Sequence, residues 1–373
     1  MIKGFKIRLL PTKEQEELMY KTIGCSRFAY NWALNRCNEL YKNEIKYSMG
    51  DVRKEFTQLK KQEEYKWLNE VSNKAMVESI RNLDKAFKSF FKKKSKYPKF
   101  KSKKKSKLNF YVRYDNLYFK DNVCNIEKVG KVKFTTNYNV PKCKYMNPYC
   151  SFDGKYWYLS FNVEVDENQV NLNKNLSIGI DLGIKDLAIC SNGMVFKNIN
   201  KTKSVKKLKK KLKRLQRQVS RKYELNKEGN KYIKTNNIIK LERQIKLLYR
   251  KLSNIRNNHI HQATSKIVKL HPYRVVMEDL NVSGMMKNRH LSKAIAEQCF
   301  YEFIRQMRYK CEFNGIEFVQ VDRFYPSSKT CCCCGHIKKD LKLKDRVYVC
   351  KECGLIIDRD KNASINLGNY GLV

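Results

Sequence analysis

The stretch SIGIDLG, residues 177–183, places an aspartate inside a run that otherwise reads as a buried strand. An ionised carboxylate there is costly unless it is paired or binds a metal. Asp181 therefore needs a partner, and the surrounding chain indicates where to look. The segment NKNLSIGIDLGIKDLAICSNGMVFKNI reads as three successive strands joined by tight Gly- or Asn-containing turns. Two amphipathic helices follow. Val205, Leu208, Leu212, Leu215 and Val219 repeat at alternating spacings of three and four, as do Ile238, Leu241, Ile245, Leu248 and Leu252. Two such stripes joined by a polar, Gly-containing turn predict an antiparallel helical hairpin whose outer faces are almost wholly Lys and Arg. Next come the strand YRVVMEDL, a helix from about Ser292 to Asn314, the strand IEFVQVD, a cysteine-rich region and a final helix from about Asp360.

This order of strands and helices is the layout of an RNase H-like α/β domain. Glu278 ends the fourth strand, and period-two alternation sets it on the side opposite Asp279. Asp360 lies in IIDRDKNASINL, at the start of the last helix. Three carboxylates from two strands and a helix N-terminus are expected to hold two divalent ions about 3.5–4 Å apart. One ion would activate water and the other would stabilise the leaving 3′-oxygen during phosphodiester hydrolysis. Hard oxygen ligands favour Mg²⁺ or Mn²⁺ over softer metals. Taken singly, each acid reads better as a surface or capping residue. Their combination in this strand order points to a nuclease.

The run CCCC, Cys331 to Cys334, cannot bind one ion with all four thiols, because neighbouring side chains point apart. Structural zinc favours C-x₂-C pairs, and Cys350 and Cys353 form one. Within the quartet only Cys331 and Cys334 stand at that spacing. Gly335 and Gly354 follow the two pairs, as the tight turn of a zinc knuckle requires. The resulting C-x₂-C-x₁₅-C-x₂-C predicts a zinc ribbon, with Cys332 and Cys333 inside its first turn. His336 is a spare candidate that the ligand set does not need.

The chain carries 79 Lys+Arg against 36 Asp+Glu, a formal net charge of +43. Self-repulsion of that size calls for a polyanionic partner. The charge is spread along the chain and interleaved with 23 Tyr and 18 Phe, which suits nucleic acid, with cations on phosphates and rings on bases. No run approaches the roughly 18 uninterrupted apolar residues of a membrane span. The N-terminus MIKGFKIRLLPTKEQ also lacks the apolar core of a secretory signal. The expectation is a cytoplasmic protein whose cysteines are reduced, and which joins the nucleoid when bound to its target. In the N-terminal half, KGFKIRLLP reads as a strand, and Thr12 with Gln15 forms a capping box that opens a helix through about Lys42. A second helix spans about Val71 to Phe91, with Val71, Ile80, Leu83, Phe87 and Phe90 on or near one face. The basic run Lys92–Lys107, interrupted by Pro98, reads as either a solvated linker or a phosphate-contacting strap. From about Leu108 to Val165 the texture is β-rich and predicts a small barrel or sandwich that recruits the N-terminal strand.

GIDLGIK, VVMEDLNVSGM and YPSSKTCCCCGHIKKDLKLKDRVYVCKECGLIIDRDKNASINL together resemble the three RuvC segments and intervening zinc ribbon of the TnpB family. These are insertion-sequence-encoded nucleases related to type V CRISPR effectors. LLPTKEQ, CSRFAYNWALNR and YPKFKSKKKS are similar to that family's N-terminal half, so the resemblance runs from about Lys3 to Leu367. It implies a multidomain α/β chain, with a RuvC nuclease domain (176–330 and 354–373) carrying the helical hairpin (201–258) and the ribbon (331–353). A split wedge β-barrel (1–12 and 101–175) would hold an inserted helical recognition domain (13–100). The implied activity is RNA-guided cleavage of double-stranded target DNA beside a short adjacent motif, with a guide RNA derived from the element's end. The triad maps onto Asp181, Glu278 and Asp360, with Mg²⁺ or Mn²⁺, and structural Zn²⁺ goes to Cys331, Cys334, Cys350 and Cys353. The family pattern assigns the second Asp of DRD, leaving Asp358 as a cap. The chain departs from the family in its cysteine quartet and in stopping soon after Leu367, so that any C-terminal tail is short. Two other readings compete: a nuclease-inactive RNA-guided DNA-binding repressor, and an RNase H-like transposase acting without a guide. The sequence leaves the oligomeric state open.

Overall fold

A computed structural model describes residues 1–166, 170–342 and 345–371, and the chain divides into two units, Met1–Val165 and Asp166–Val373. Residues 167–169, 343–344 and 372–373, which belong to the ranges expected for the wedge, ribbon and nuclease segments, lie outside the described residues.

Unit 1 begins with strand β1 (Ile2–Leu10) and helix α1 (Lys13–Lys42). Thr12 caps α1 as the sequence requires: its hydroxyl accepts from the Gln15 N–H at 3.3 Å, and its own N–H donates to Gln15 Oε1 at 3.0 Å. Helix α2 (Met49–Leu59), a 3₁₀ turn (Glu63–Glu70) and α3 (Asn73–Phe91) complete the helical part. Ala29, Leu34, Phe56, Leu68, Ile80, Leu83 and Phe87 form its core. The basic run after α3 is not a free linker. The Asn31 amide donates to and accepts from the Lys101 backbone at 2.9 and 2.8 Å, and the Lys101 ammonium lies 3.7 Å from the Tyr30 ring centroid.

Strands β2 (Asn109–Tyr111), β3 (Phe119–Lys120), β4 (Val123–Ile126), β5 (Gly130–Thr135), β6 (Met146–Phe152) and β7 (Trp157–Glu164) join β1 in one antiparallel sheet, ordered β2-β6-β7-β1-β5-β4-β3. The recruited N-terminal strand sits at its centre. β3 is four places from β7, which in a flat sheet is about 19 Å. Yet the Phe119 and Phe161 rings stand 5.2 Å apart, so the sheet curls around its core.

Unit 2 holds a five-stranded sheet ordered β10-β9-β8-β13-β14. Its first three strands are β8 (Asn173–Leu182), β9 (Asp186–Cys190) and β10 (Val195–Lys197), a meander as expected. Helix α4 (Lys203–Leu225), a two-rung ribbon of β11 (Lys227–Glu228) and β12 (Lys231–Tyr232), and α5 (Asn236–Val268) form the hairpin. Val205, Leu212, Leu215, Leu248 and Leu252 are buried along its seam. α5 continues unbroken past residue 258 to bury Ile260, Ala263 and Ile267 against the sheet, so hairpin and core share one helix. β13 (Pro272–Glu278) pairs parallel with β8, and β14 (Glu317–Val321) pairs parallel with β13. Between them lie the short α6 (Val282–Met285), α7 (Ser292–Gln298) and α8 (Phe300–Phe313). The single helix expected over 292–314 is therefore broken. Cys299 adopts a left-handed φ of 55°, and Gln298 Nε2 is pulled to the Gly183 carbonyl at 2.8 Å. A small antiparallel pair, β15 (Val347–Val349) and β16 (Ile356–Asp358), precedes the last helix, α9 (Arg359–Gly368).

The two faces of this sheet are distinct. Ile178, Ile180, Val275 and Met277 point toward α5, α7 and α8, whereas Val276 packs with Val321 and Leu367 under α9. Gly179 permits that approach. A Cβ there would lie 2.0 Å from the Ser364 carbonyl oxygen and 2.1 Å from the Gly368 nitrogen.

Candidate active site and cysteine cluster

Alternation along β8 and β13 decides where the acids project. Ile178 and Ile180 face the α5 side, so Gly179 and Asp181 face α9; Val275 and Met277 face α5, so Val276 and Glu278 face α9. β8 and β13 run parallel with Ile180 opposite Met277, which sets Asp181 and Glu278 one step beyond that pair on neighbouring strands. Asp360 stands in the first turn of α9, the helix covering this face.

The electrostatics agree with this placement. The Asp181 carboxyl is pushed well above the usual carboxylate range, first by burial, then by the like charges of Glu278 and Asp360, with Arg359 pulling the other way. Glu278 Oε1 accepts a short hydrogen bond from the Ser327 hydroxyl. Asp360 is held by Arg359 at 3.2 Å and by Arg346 at 3.6 Å. Asp358 has a different job. Its Oδ1 accepts from the backbone N–H groups of Asp360 and Lys361 at 3.0 and 3.1 Å, capping α9. Glu278 and Asp360 raise the cost of ionising Asp181, a penalty that a hard divalent cation beside them would relieve, although among the described residues only the four cysteines have ligand atoms gathered closely enough to share one ion as they stand.

The cysteine cluster is tight. The Sγ atoms of Cys331, Cys334, Cys350 and Cys353 all lie within 4.8 Å of one another, with Cys331–Cys353 and Cys334–Cys350 each at 3.6 Å. Gly335 and Gly354 take φ of +76° and +71°, the left-handed turns that bring each pair together. Backbone N–H groups of Cys353 and Glu352 hold the Cys350 thiol down to about 6, favouring the thiolate a metal needs. Four thiolate donors at this separation fit one tetrahedral zinc ion. Cys332 and Cys333 stand outside the cluster. Cys332 contributes its backbone N–H instead, at 2.9 Å from Asn362 Oδ1 on α9. Asn362 and Asn366 also donate to the Thr330 carbonyl at 2.6 and 2.7 Å, and Asn366 donates to the Ser327 carbonyl at 2.7 Å. The root of the cysteine module is thus fastened to the helix that carries Asp360. Sequence reasoning missed Ser327, Arg346 and this asparagine pair, although their four-residue spacing on one helix face was visible in NASIN.

Unit 2 is an α/β unit that carries a four-cysteine module between its last long strand and its last helix, a combination found in Cas12f1-like proteins. Residues 300–367 match the family described as Cas12f1-like, TNB domain, and residues 160–289 the one described as Probable transposase. Residues 1–46 match a family described as a helix-turn-helix domain, although here they fold as β1 and the single helix α1. A Cas12f1–sgRNA–target DNA complex has the same fold, with a TM-score of 0.59 and 13% identity over 99% of both chains. A putative RNA-guided DNA endonuclease of Streptomyces pristinaespiralis is 30% identical over 99% of this chain and 89% of its own. The putative RNA-guided DNA endonuclease InsQ of Escherichia coli is 30% identical over 98% of this chain and 91% of its own. The chain belongs to the TnpB family.

Proposed function

We propose that this protein is an RNA-guided DNA endonuclease of a mobile element, cutting duplex DNA beside a short adjacent motif at Asp181, Glu278 and Asp360. The observation that carries this reading is the convergence of Asp181 and Glu278 on the sheet face covered by α9, with Asp360 in that helix's first turn. It favours a nuclease over a nuclease-inactive repressor. The order of strands and helices supports an RNase H-like, RuvC-type reading of unit 2. The likeness to two putative RNA-guided DNA endonucleases, and the net charge of +43, support guide RNA and target DNA as partners. Among the described residues no helix is long and apolar enough to cross a membrane.

In this reading Asp181, Glu278 and Asp360 hold Mg²⁺ or Mn²⁺, which when bound supplies water activation and charge stabilisation at the leaving 3′-oxygen. The chain's own residues do the positioning. Ser327 orients Glu278 by donating to it, and Arg346 and Arg359 fix the Asp360 carboxylate. Lys361 ties the first turn of α9 to β9 through the Ser191 carbonyl at 2.7 Å. Cys331, Cys334, Cys350 and Cys353 hold structural Zn²⁺, and α9 links that module to the acids. The test is expression with the native downstream flank and sequencing of co-purified RNA, followed by incubation of a guide-matched duplex with Mg²⁺. A discrete RNA and cleavage that Asp181→Ala abolishes are expected. Cleavage of DNA ends without RNA would instead favour a transposase.

A further inference from the structure

Unit 1 contains a cavity of about 530 Å³ enclosed by α1, α3, the pinned basic segment and strands β2 and β6. Its size falls in the range of roughly 300–1,000 Å³ typical of small-ligand sites. The lining carries four cationic side chains, Arg27, Lys101, Lys105 and Lys107, and no carboxylate among the described residues. Aromatic rings from Phe100 and Tyr149 line it as well. Nearby, Asn82 Nδ2 donates to the Tyr149 hydroxyl at 3.3 Å, which directs the amide across the cavity wall. The Asn31–Lys101 backbone pairing prebuilds the wall, so little ordering cost remains at binding.

Cations demand an anion, and rings offer a flat apolar surface. We propose that this cavity holds one unstacked nucleotide of a single strand. Its phosphate lies on Arg27 and the lysines of the basic segment, and its base lies against Phe100 and Tyr149. The inference rests on the nucleic-acid reading above and adds a base-binding site to it.

The test uses the full chain and fluorescein-labelled single strands of about 12 nucleotides, RNA and DNA of one sequence, each also made as an abasic backbone. The wild type is expected to prefer the base-bearing form of one strand. Phe100→Ala, at a residue 58% exposed and therefore safe for folding, should shrink that preference by about fivefold or more while leaving abasic affinity unchanged. Arg27→Gln should weaken both forms and lower the salt slope by about one. The arm in which Phe100→Ala acts identifies the strand as RNA or DNA. If Phe100→Ala weakens intact and abasic strands equally, or neither, the pocket reads no base and the proposal fails while the nucleic-acid reading stands. If the wild type binds none of the strands, both fail together.

Discussion

Gly179→Ala tests the packing on which the candidate active site depends. The new methyl would enter 2.0 Å from the Ser364 oxygen, 2.1 Å from the Gly368 nitrogen and 2.8 Å from the Leu367 carbon. All three are backbone atoms, so no side chain can rotate away. α9 must retreat by about 1 Å or more, because packed interiors have no slack to absorb the clash. Overpacking against backbone belongs at the upper end of its usual range, about 3 kcal/mol. For a unit of this size that lowers the melting temperature by roughly 6–12 °C. Asp360 moves with α9, and a displacement of about 1 Å at a reacting group costs on the order of 10²-fold in rate. Calorimetry, guided cleavage and zinc content should be measured together. We expect a lower transition, cleavage reduced at least about 10²-fold, and zinc retained, since the four thiols are untouched. A variant that melts and cuts like the wild type would refute the seating of α9 on β8.

Three further outcomes follow from named contacts. Asp358→Ala removes the α9 cap and should cost about 1 kcal/mol in unfolding titrations while leaving measurable cleavage; Asp360→Ala should abolish cleavage. Equal loss in both would exchange the two roles. Asp181 has a folded-state pKa raised above 3.8, so in Mg²⁺-free buffer the wild type should lose stability as pH rises from about 4 through the raised value. Asp181→Asn should remove that loss and melt higher at neutral pH; an unchanged pH–stability curve counts against the burial of this acid. By elemental analysis, Cys331→Ser should lower bound zinc and Cys332→Ser should not, and equal losses would overturn the ligand register.

Features set by local geometry were readable from the chain. The Thr12–Gln15 cap, the cysteine spacing and the side on which Glu278 projects each depend on a few adjacent residues. α2 was not anticipated. Ser48 and Asp51 do form its capping box, but Asp replaces the usual Glu or Gln and Gly50 weakens the first turn. The break at Cys299 was equally hidden. Helical periodicity runs straight through it, and its cause, the Gln298 contact with Gly183, comes from far away in the chain. That Lys92–Lys107 is held against α1 was hidden too, because Asn31, which pairs with Lys101, is likewise distant in sequence. The strand order that sets Asp181 and Glu278 on neighbouring strands was legible; the arginines and serine that contact Glu278 and Asp360 were not.

The seam between β8 and α9 joins residues 191 apart, as the Ser177 hydroxyl donates to the Gly368 carbonyl at 2.7 Å. During synthesis, therefore, Asp181 and Glu278 leave the ribosome well before the helix that supplies the third acid. A nascent chain that stops short of residue 359 holds Asp181 and Glu278 but lacks Asp360. Prematurely terminated products lacking residues 359–368 remain incomplete in the same way, with the Gly179 face uncovered. On the proposed assignment of the three acids, then, no cut can precede synthesis of α9.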